Sequence, residues 1–276
     1  MSERRADLHI HTYYSDGTQS PAEVVSEAAA CGLAAIAITD HDTLDGVAEA
    51  VTAGQASGVE VITGVELSSD FSGKDIHILG YLFGLSDNPL LEKLSLIQSG
   101  RVERMRKMID KLISLGIKDI AFDEVSGQVH SDAVGRLHLA KLLVQKGHVA
   151  SLDMAFTRYL GEGAQAYFPK YQQTPYEAIR LIKDSGGLAV LAHPMLTRKD
   201  ELIRGMVAAG LDGIECYYPN CSPAVTGFYL NLTAKYGLLA TGGSDAHGRG
   251  KSSTWISKAY VDFSVVEKMK QRLTAS

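Results

Sequence analysis

The stretch Asp7–Gly17, DLHIHTYYSDG, carries the densest chemistry in the sequence. Asp7, His9 and His11 fall on alternate residues, with Leu8 and Ile10 between them. In an extended strand alternate side chains share a face. One face would then hold a carboxylate and two imidazoles, and the other aliphatic packing. A face of that kind makes a poor core, so it is either wet or occupied by something it binds. The same residue types recur where later apolar runs end. His41 follows IAIT in TDHDT, Glu66 follows VITGV, and His77 lies in DIHILGY. His193 ends LAVLAH, while Asp245 and His247 end LATGGSDAH. Asp16 lies in the loop after the first run.

Taken singly, each histidine reads as a satisfied polar residue, Glu66 as half of an ion pair, and Asp16-Gly17 as a turn. Taken together they do not. Six imidazoles on one rim would need six separate hydrogen-bond partners and would titrate near neutrality. Metal ligation satisfies all of them at once. Six histidines and three carboxylates exceed what one tetrahedral or octahedral ion can use, so two or three ions fit, with Glu66 best placed to bridge. Mixed imidazole and carboxylate ligation suits manganese, iron or zinc and does not suit calcium or magnesium alone. The cations would carry more charge than the carboxylates that hold them, which favours a polyanionic ligand such as a phosphate ester. Clustered ions can activate a bridging water and clamp both oxygens of an in-line displacement.

For these residues to meet, the chain has to bring its strand ends together. Short β-rich runs alternate with helical stretches. SPAEVVSEAAACG has a Ser20 cap, Pro21 at the first helical position, Glu23 at the capping-box position and a closing glycine. LAAIAITD, VEVITGVELS and DIHILGYLFG read as strands, and LDGVAEAVTAGQASG as a helix. Residues from about 89 to 116 read as a long helix, and 117 to 172 as a less regular segment. The alternation then resumes through TPYEAIRLIKDSGG, LAVLAHP, KDELIRGMVAAG, LDGIECYYP, SPAVTGFYLNLTAKYG and LLATGGSDAHG. Repeated strand–helix units predict a parallel α/β sheet, and about seven strands predict a closed or nearly closed barrel whose strand ends share one rim. An open doubly wound sheet is the alternative, without the glycine fingerprint of a dinucleotide site.

The bulk numbers are those of an ordinary soluble chain, of a length that suits one large α/β domain or a domain with an insertion. The chain has 276 residues, a formal charge of −5, 45% hydrophobic and 21% charged residues. No run approaches the roughly 18 apolar residues that span a bilayer. MSERRADLHI has no long apolar stretch of the signal-peptide kind, so a cytoplasmic location is expected. Cys31, Cys216 and Cys221 form no CxxC pair and predict a reducing compartment. The mild acidity argues against a broad nucleic-acid surface.

DLHIHTYYSDGT, TDHDT, GVELS, DIHILGY, LAHP and GSDAHG resemble, in order, the motifs of the polymerase-and-histidinol-phosphatase (PHP) family, from residue 7 to about residue 250. The resemblance implies a distorted (β/α)7 TIM-like barrel formed by residues 1–88 and 173–276, with residues 89–172 as a mainly helical insertion contributing to the substrate site. It implies a trinuclear centre: His9, His11, Glu66 and Asp245 at one position, Glu66, His77 and His193 at the second, Asp16, His41 and His247 at the third. Asp7 and Asp42 are expected to orient these ligands, and Arg136 and His138 of GRLHLA to face the substrate phosphate. Together these four make up the expected catalytic complement beside the metals.

GRLHLAKLL, FTRYLGEG and YYP look like the small stand-alone members acting on nucleotides. That branch removes the 3′-phosphate from nucleoside 3′,5′-bisphosphates or trims short RNA from its 5′ end. The implied ligand is thus a small nucleotide or short RNA, with no membrane and no obligate protein partner. Histidinol-phosphate phosphatase and a non-catalytic metal-stabilised module are the alternatives. The chain departs from many relatives in lacking a lysine near GEGAQAY and in carrying Cys221 where they have histidine; Lys170 in FPKY could replace the lost base. Cys221 itself reads as a plain loop residue. Arg101, Arg104, Arg106 and Lys107 read as a solvated helix face, and Trp255 as packing.

Overall fold

The computed structural model describes residues 4–85, 89–128, 130, 134–169, 173–248 and 255–274. The apolar runs form strands β1 (Arg5–Ile10), β2 (Leu33–Ile38), β3 (Glu60–Phe71), β4 (Lys74–Tyr81), β5 (Leu188–Leu191), β6 (Gly213–Tyr217), β7 (Leu239–Gly242) and β8 (Val261–Asp262). β2 and β5 are buried almost throughout, as strands covered on both faces must be. The helices are α1 (Pro21–Ala30), α2 (Val47–Ser57), α3 (Pro89–Ser114), α4 (Phe122–Ser126), α5 (Arg136–Gln145) and α6 (Leu152–Ala155). They continue as α7 (Pro175–Asp184), α8 (Pro194–Thr197), α9 (Ile203–Ala208), α10 (Pro223–Tyr236) and α11 (Ser264–Thr274). The Ser20 capping box forms as its residues predict, and Thr174 with Glu177 builds a second one at α7.

The strands make one sheet in the order β7-β6-β5-β4-β3-β2-β1-β8. β1, β2 and β3 run parallel, as do β5, β6 and β7. The loop after β7 folds back on β1, where the His11 backbone N–H donates to the Ala246 carbonyl at 2.9 Å. The result is a nearly closed α/β barrel, as the alternation predicts.

Two strands depart from the expected all-parallel arrangement. β4 is antiparallel to β3 and to β5, and β8 adds an antiparallel edge beyond β1. The first has a local cause. Ser72 and Gly73, both with positive φ (53° and 79°), close a tight turn between β3 and β4. A direct turn of this length returns the chain antiparallel, because a parallel partner needs a crossover of a dozen or more residues. The β3–β4 hairpin therefore brings His77 back toward Glu66 from its own strand.

Inside the barrel, Leu8, Ala35, Ile62, Leu79, Tyr81 and Val190 form a continuous core. The Tyr81 hydroxyl donates to the Leu8 carbonyl at 2.7 Å and so ties β4 across to β1. A second core gathers Met105, Met108, Leu112, Leu139, Leu143, Tyr159 and Leu160. α3 joins the second core to the barrel: Leu90 and Leu94 pack in a third cluster with Val65, Leu67, Ile76 and Ile78 of β3 and β4, and Met105 to Leu112 pack on the second core. That path carries the middle of α3, and α5 behind it, across the rim on which the histidines stand. No described helix is long and apolar enough to cross a membrane.

Candidate metal centre and substrate pocket

β1 delivers His9 and His11 on one face, as their spacing predicts, and both are buried. Their Nε2 atoms lie 3.1 Å apart. Around this pair the structure brings together all nine residues singled out from the strand ends. Glu66 Oε1 lies 2.8 Å from His77 Nδ1 and 3.0 Å from His193 Nε2. Its other oxygen, Oε2, is within 3.3 Å of His9 Nε2, 3.2 Å of His11 Nε2 and 3.2 Å of His41 Nδ1. Asp245 Oδ1 lies 3.2 Å from His11 Nε2 and 3.6 Å from His9 Nε2. Asp16 approaches His247 Nε2 at 3.2 Å and His41 Nε2 at 3.9 Å.

The donor set fits metal ions on an observation independent of residue type. Glu66 Oε2, His11 Nδ1, His41 Nδ1 and His193 Nδ1 are buried and accept or donate no hydrogen bond among the described residues. Three imidazole nitrogens thus crowd one carboxylate oxygen at contact distance without the alignment of a hydrogen bond. Buried polar atoms are rarely left so, and a cation among them would satisfy Glu66 Oε2 and His41 Nδ1, which face each other at 3.2 Å. Ligand atoms cluster as His11, Asp16, His41 and His247, as His9, His11 and Asp245, and as two sets sharing Glu66, one with His9 and His193 and one with His41 and His77. Backbone strain collects at the same place: His193, Asp245 and Asp42 hold positive φ of 27°, 50° and 52°.

Other residues hold the cage in shape. Glu215, in the middle of β6, accepts from His9 Nδ1 at 2.9 Å with one oxygen and from the His193 backbone N–H at 2.7 Å with the other. It thereby sets which nitrogen of His9 faces the cage. Asp40 accepts from the Thr12 amide, the Thr12 hydroxyl and the Ser15 hydroxyl, each at 2.6 Å, and fixes the loop that presents Asp16. The Tyr218 hydroxyl donates to Asp245 Oδ2 at 2.7 Å. Gly243 lets the β7 loop reach β1, for a Cβ there would lie 2.4 Å from that of His9.

Asp7 and Asp42 accept hydrogen bonds from backbone amides, and Asp42 also from Arg101. Asp7 accepts the backbone N–H groups of Ser244 at 2.8 Å, Ser257 at 2.9 Å and His9 at 3.4 Å, and burial raises its pKa to about 6 against those donors. It anchors the loop bearing Asp245. Asp42 takes the Arg101 guanidinium on Oδ2 and the Ser68 amide on Oδ1 at 2.8 Å.

Beside the cage, under α3 and α5, opens a cavity of about 220 Å³. Asp16, His41 and His77 line its inner end, and Arg101, Arg104, Arg136 and His138 its outer wall. Arg104 Nε donates to the Phe168 carbonyl at 2.7 Å, and Arg136 stands 3.6 Å from Asp75. Burial and the neighbouring Arg136 charge lower the Arg104 pKa to about 10, so it stays charged at neutral pH. His138 caps its own helix: its Nδ1 accepts the Gly135 N–H at 3.0 Å, which leaves Nε2 as the protonated nitrogen. Burial, reinforced by Lys141 and Arg101, lowers its pKa to about 4, outweighing Asp16.

The PHP domain family matches residues 7–132. Over 88% of this chain and 90% of its own length, a 5′-3′ exoribonuclease from Haemophilus influenzae is 35% identical. A 3′,5′-nucleoside bisphosphate phosphatase from Chromobacterium violaceum is 33% identical over 89% of this chain and 88% of its own. The crystal structure of a proposed metal-dependent phosphoesterase from Bifidobacterium adolescentis superposes with a TM-score of 0.87, at 30% identity, over 99% of this chain and 97% of that one. The chain belongs to the PHP family. It is a phosphoesterase, and its cage is a cluster of histidine, aspartate and glutamate side chains that could hold metal ions.

Within this PHP site two expectations need correction. Arg101 and Arg104 do not lie on a solvated face, because α5 folds over that side of α3 and closes the cavity on them. Arg106 and Lys107 do face outward: Arg106 lies over the Phe122 ring at 4.0 Å, and Lys107 pairs with Glu103 at 2.7 Å. Trp255 is 51% exposed, with the Lys258 ammonium 4.1 Å above its ring, and so is not packing. Cys221 is a loop residue outside the cage, and burial raises its thiol pKa. Lys170 falls outside the described residues.

The PHP cage carries protons when it carries no ions. Burial opposes charge on His9, but Glu215, Glu66 and Asp245 outweigh it and hold the imidazole pKa well above its ordinary range. Burial likewise opposes charge on His11, and Asp245, Glu66 and Asp16 push it up to about 10. His41 moves the other way, to about 3, because burial with the His11 and His77 charges outweighs Glu66 and Asp16. A cation must displace the protons held at neutral pH. Manganese uptake is therefore expected to release about two protons or more per chain, with affinity rising as pH rises. Calorimetric titration in buffers of different ionisation enthalpy measures this; a heat independent of buffer would contradict it.

Proposed function

We propose that the protein removes the 3′-phosphate from nucleoside 3′,5′-bisphosphates, using two or three manganese ions held by the nine cage residues, and that it also accepts short 5′-phosphorylated RNA. One observation carries the reading: Arg101, Arg104 and Arg136 line the same cavity as the cage residues Asp16, His41 and His77. Guanidiniums that close to the cage suit a second phosphate on the same small molecule. Histidinol phosphate has one phosphate and a cationic amine, which these arginines would repel. Residues 89–172 are in this reading an insertion on the barrel of 1–88 and 173–276, and they supply the arginines and His138.

When bound, the ions supply an acidified water and a concentration of positive charge at phosphorus. The chain does the rest. Glu66 spans the cage and holds its ligands at a common distance, Glu215 fixes His9, and Asp40 and Asp7 fix the loops bearing Asp16 and Asp245. Arg104 and Arg136 place the 5′-phosphate, and so place the 3′-phosphate over the cage. His138, neutral at pH 7 and protonated on Nε2, donates a hydrogen bond to a phosphate oxygen rather than a proton. The protein loaded with manganese is expected to convert adenosine 3′,5′-bisphosphate to the 5′-monophosphate and inorganic phosphate, with histidinol phosphate turned over at least about tenfold less efficiently. A preference for histidinol phosphate, or no cleavage of either the bisphosphate or short RNA, would end the proposal.

A further inference from the structure

The cage has a second flank. The arginine pocket is built at the loops after β1 and β2 and at the β3–β4 hairpin. Across the rim, the segments after β5 and β6 enclose a larger cavity of about 970 Å³. Tyr218 is the boundary. It lines this cavity, its hydroxyl holds Asp245 at 2.7 Å, and its ring stands edge-on to His193 at 5.9 Å. The cavity therefore begins where the metal ligands end.

Its wall is unlike the arginine pocket. Leu196, Val225 and Phe228 line it while exposed at 60%, 36% and 47%. Large apolar side chains left open beside a polar centre mark a binding surface. Arg198 stands in the same wall, and its guanidinium makes no hydrogen bond or ion pair among the described residues. The neighbouring Asp200 carboxylate is engaged by the Tyr229 hydroxyl at 3.0 Å. An aromatic platform beside an unpaired guanidinium matches a nucleobase followed by a phosphate. A nucleoside bisphosphate bound as described above reaches only the arginine pocket and the cage, and leaves this cavity vacant.

We propose that this cavity receives the nucleoside joined through its 5′-oxygen to the scissile phosphate. It rests on the phosphoesterase reading above and deepens it, because it makes short single-stranded RNA a substrate that spans the cage. The terminal 5′-phosphate lies among the arginines, the scissile phosphate at the metal centre, the second base against Phe228, and the next phosphate near Arg198. In the reaction, water adds its oxygen to phosphorus and the bond from phosphorus to the 3′-oxygen breaks. The 3′-oxygen departs with one proton from that water, so the 5′-mononucleotide is released with a free 3′-hydroxyl. The phosphate remains on the following nucleoside as a new 5′-monoester. That new end is the group the arginine pocket accepts, so the shortened chain can bind again.

The test compares 5′-phosphorylated ApA with adenosine 3′,5′-bisphosphate, using the manganese-loaded wild type, Phe228→Ala and Arg198→Ala. The ratio of kcat/KM for the dinucleotide over the bisphosphate is expected to fall about tenfold in Phe228→Ala. Arg198→Ala is expected to lower the same ratio more for a 5′-phosphorylated trinucleotide than for the dinucleotide. Calorimetry on EDTA-treated protein supplies a readout without catalysis, and Phe228→Ala is expected to weaken dinucleotide binding by a similar factor. Ratios and affinities unmoved in both variants would overturn the proposal. Failure of the wild type to cleave either substrate would instead remove the function proposed above, and the binding comparison would still decide the role of the cavity.

Discussion

Glu66→Gln is expected to lose at least one metal ion per chain and to lower kcat/KM by about a thousandfold or more, which corresponds to several kcal/mol of transition-state stabilisation. The size follows from position. Both Glu66 oxygens face the cage, and five histidines from different strands and loops lie within 3.3 Å of one or the other. Glutamine preserves the shape but replaces one oxygen with an amide N–H donor, which repels a cation and points a hydrogen at nitrogens that must themselves be ligands. Glu66 contacts five of the six cage histidines, so no neighbour can substitute. Metal analysis of the dialysed variant, with bisphosphate turnover beside it, checks the expectation. Full metal content at near wild-type turnover would refute the bridging role.

The same variant separates two origins of instability. Without ions, the protonated His9 and His11 rely on Glu66 among their counter-charges. Removing one partner from a buried charge cluster costs about 3–5 kcal/mol. The metal-free variant should therefore melt below metal-free wild type near neutral pH, and the gap should narrow at high pH. The sign follows from the direction of the shifts. An imidazole whose folded pKa is raised stabilises the fold below its unfolded value, and that stabilisation disappears as pH climbs through the folded value.

The gathering of these residues could be read from the sequence because His9, Glu66 and His77 interrupt apolar strands, and His11, His41, His193, Asp245 and His247 follow where apolar strands end, places where a polar residue has no packing reason to be. The helices could be read because Ser20, Pro21 and Thr174 carry their own caps. What escaped has one physical character: its meaning comes from a partner distant in the chain. Glu215 sits in the buried run GIECY, and only the approach of His9, 206 residues away, makes it the acid that orients a ligand. Arg101 and Arg104 sit at ordinary exposed spacing on α3, and only α5 folding over them encloses them. Trp255 has the composition of a core residue, yet the sheet already has Val261 and Phe263 packed at that edge. β4 reversed for a local reason that was available, since Ser72-Gly73 leaves no room for a crossover helix.

The arginine wall yields the other large effect. Arg104→Ala is expected to lower kcat/KM for adenosine 3′,5′-bisphosphate by about 10- to 150-fold, the range of one lost hydrogen bond to a charged group. Arg101 is committed to Asp42 and Ser68, and Arg136 leans toward Asp75, while among the described residues Arg104 donates its Nε to a carbonyl and forms no ion pair. Its lowered pKa reports the same thing, since burial and the Arg136 charge both press against it. A phosphate dianion placed between the two relieves that repulsion. The loss should appear mainly in KM, because the 5′-phosphate stays bound and unchanged through the reaction. Adenosine 3′-monophosphate, which lacks that group, provides the internal control: wild type should handle it poorly, and Arg104→Ala should handle it no worse than wild type. Arg104→Lys should restore only part of the loss, for an ammonium keeps the charge but cannot bond the Phe168 carbonyl and the phosphate with one planar fork. An equal fall on both substrates would mean that Arg104 shapes the pocket instead of recognising the second phosphate.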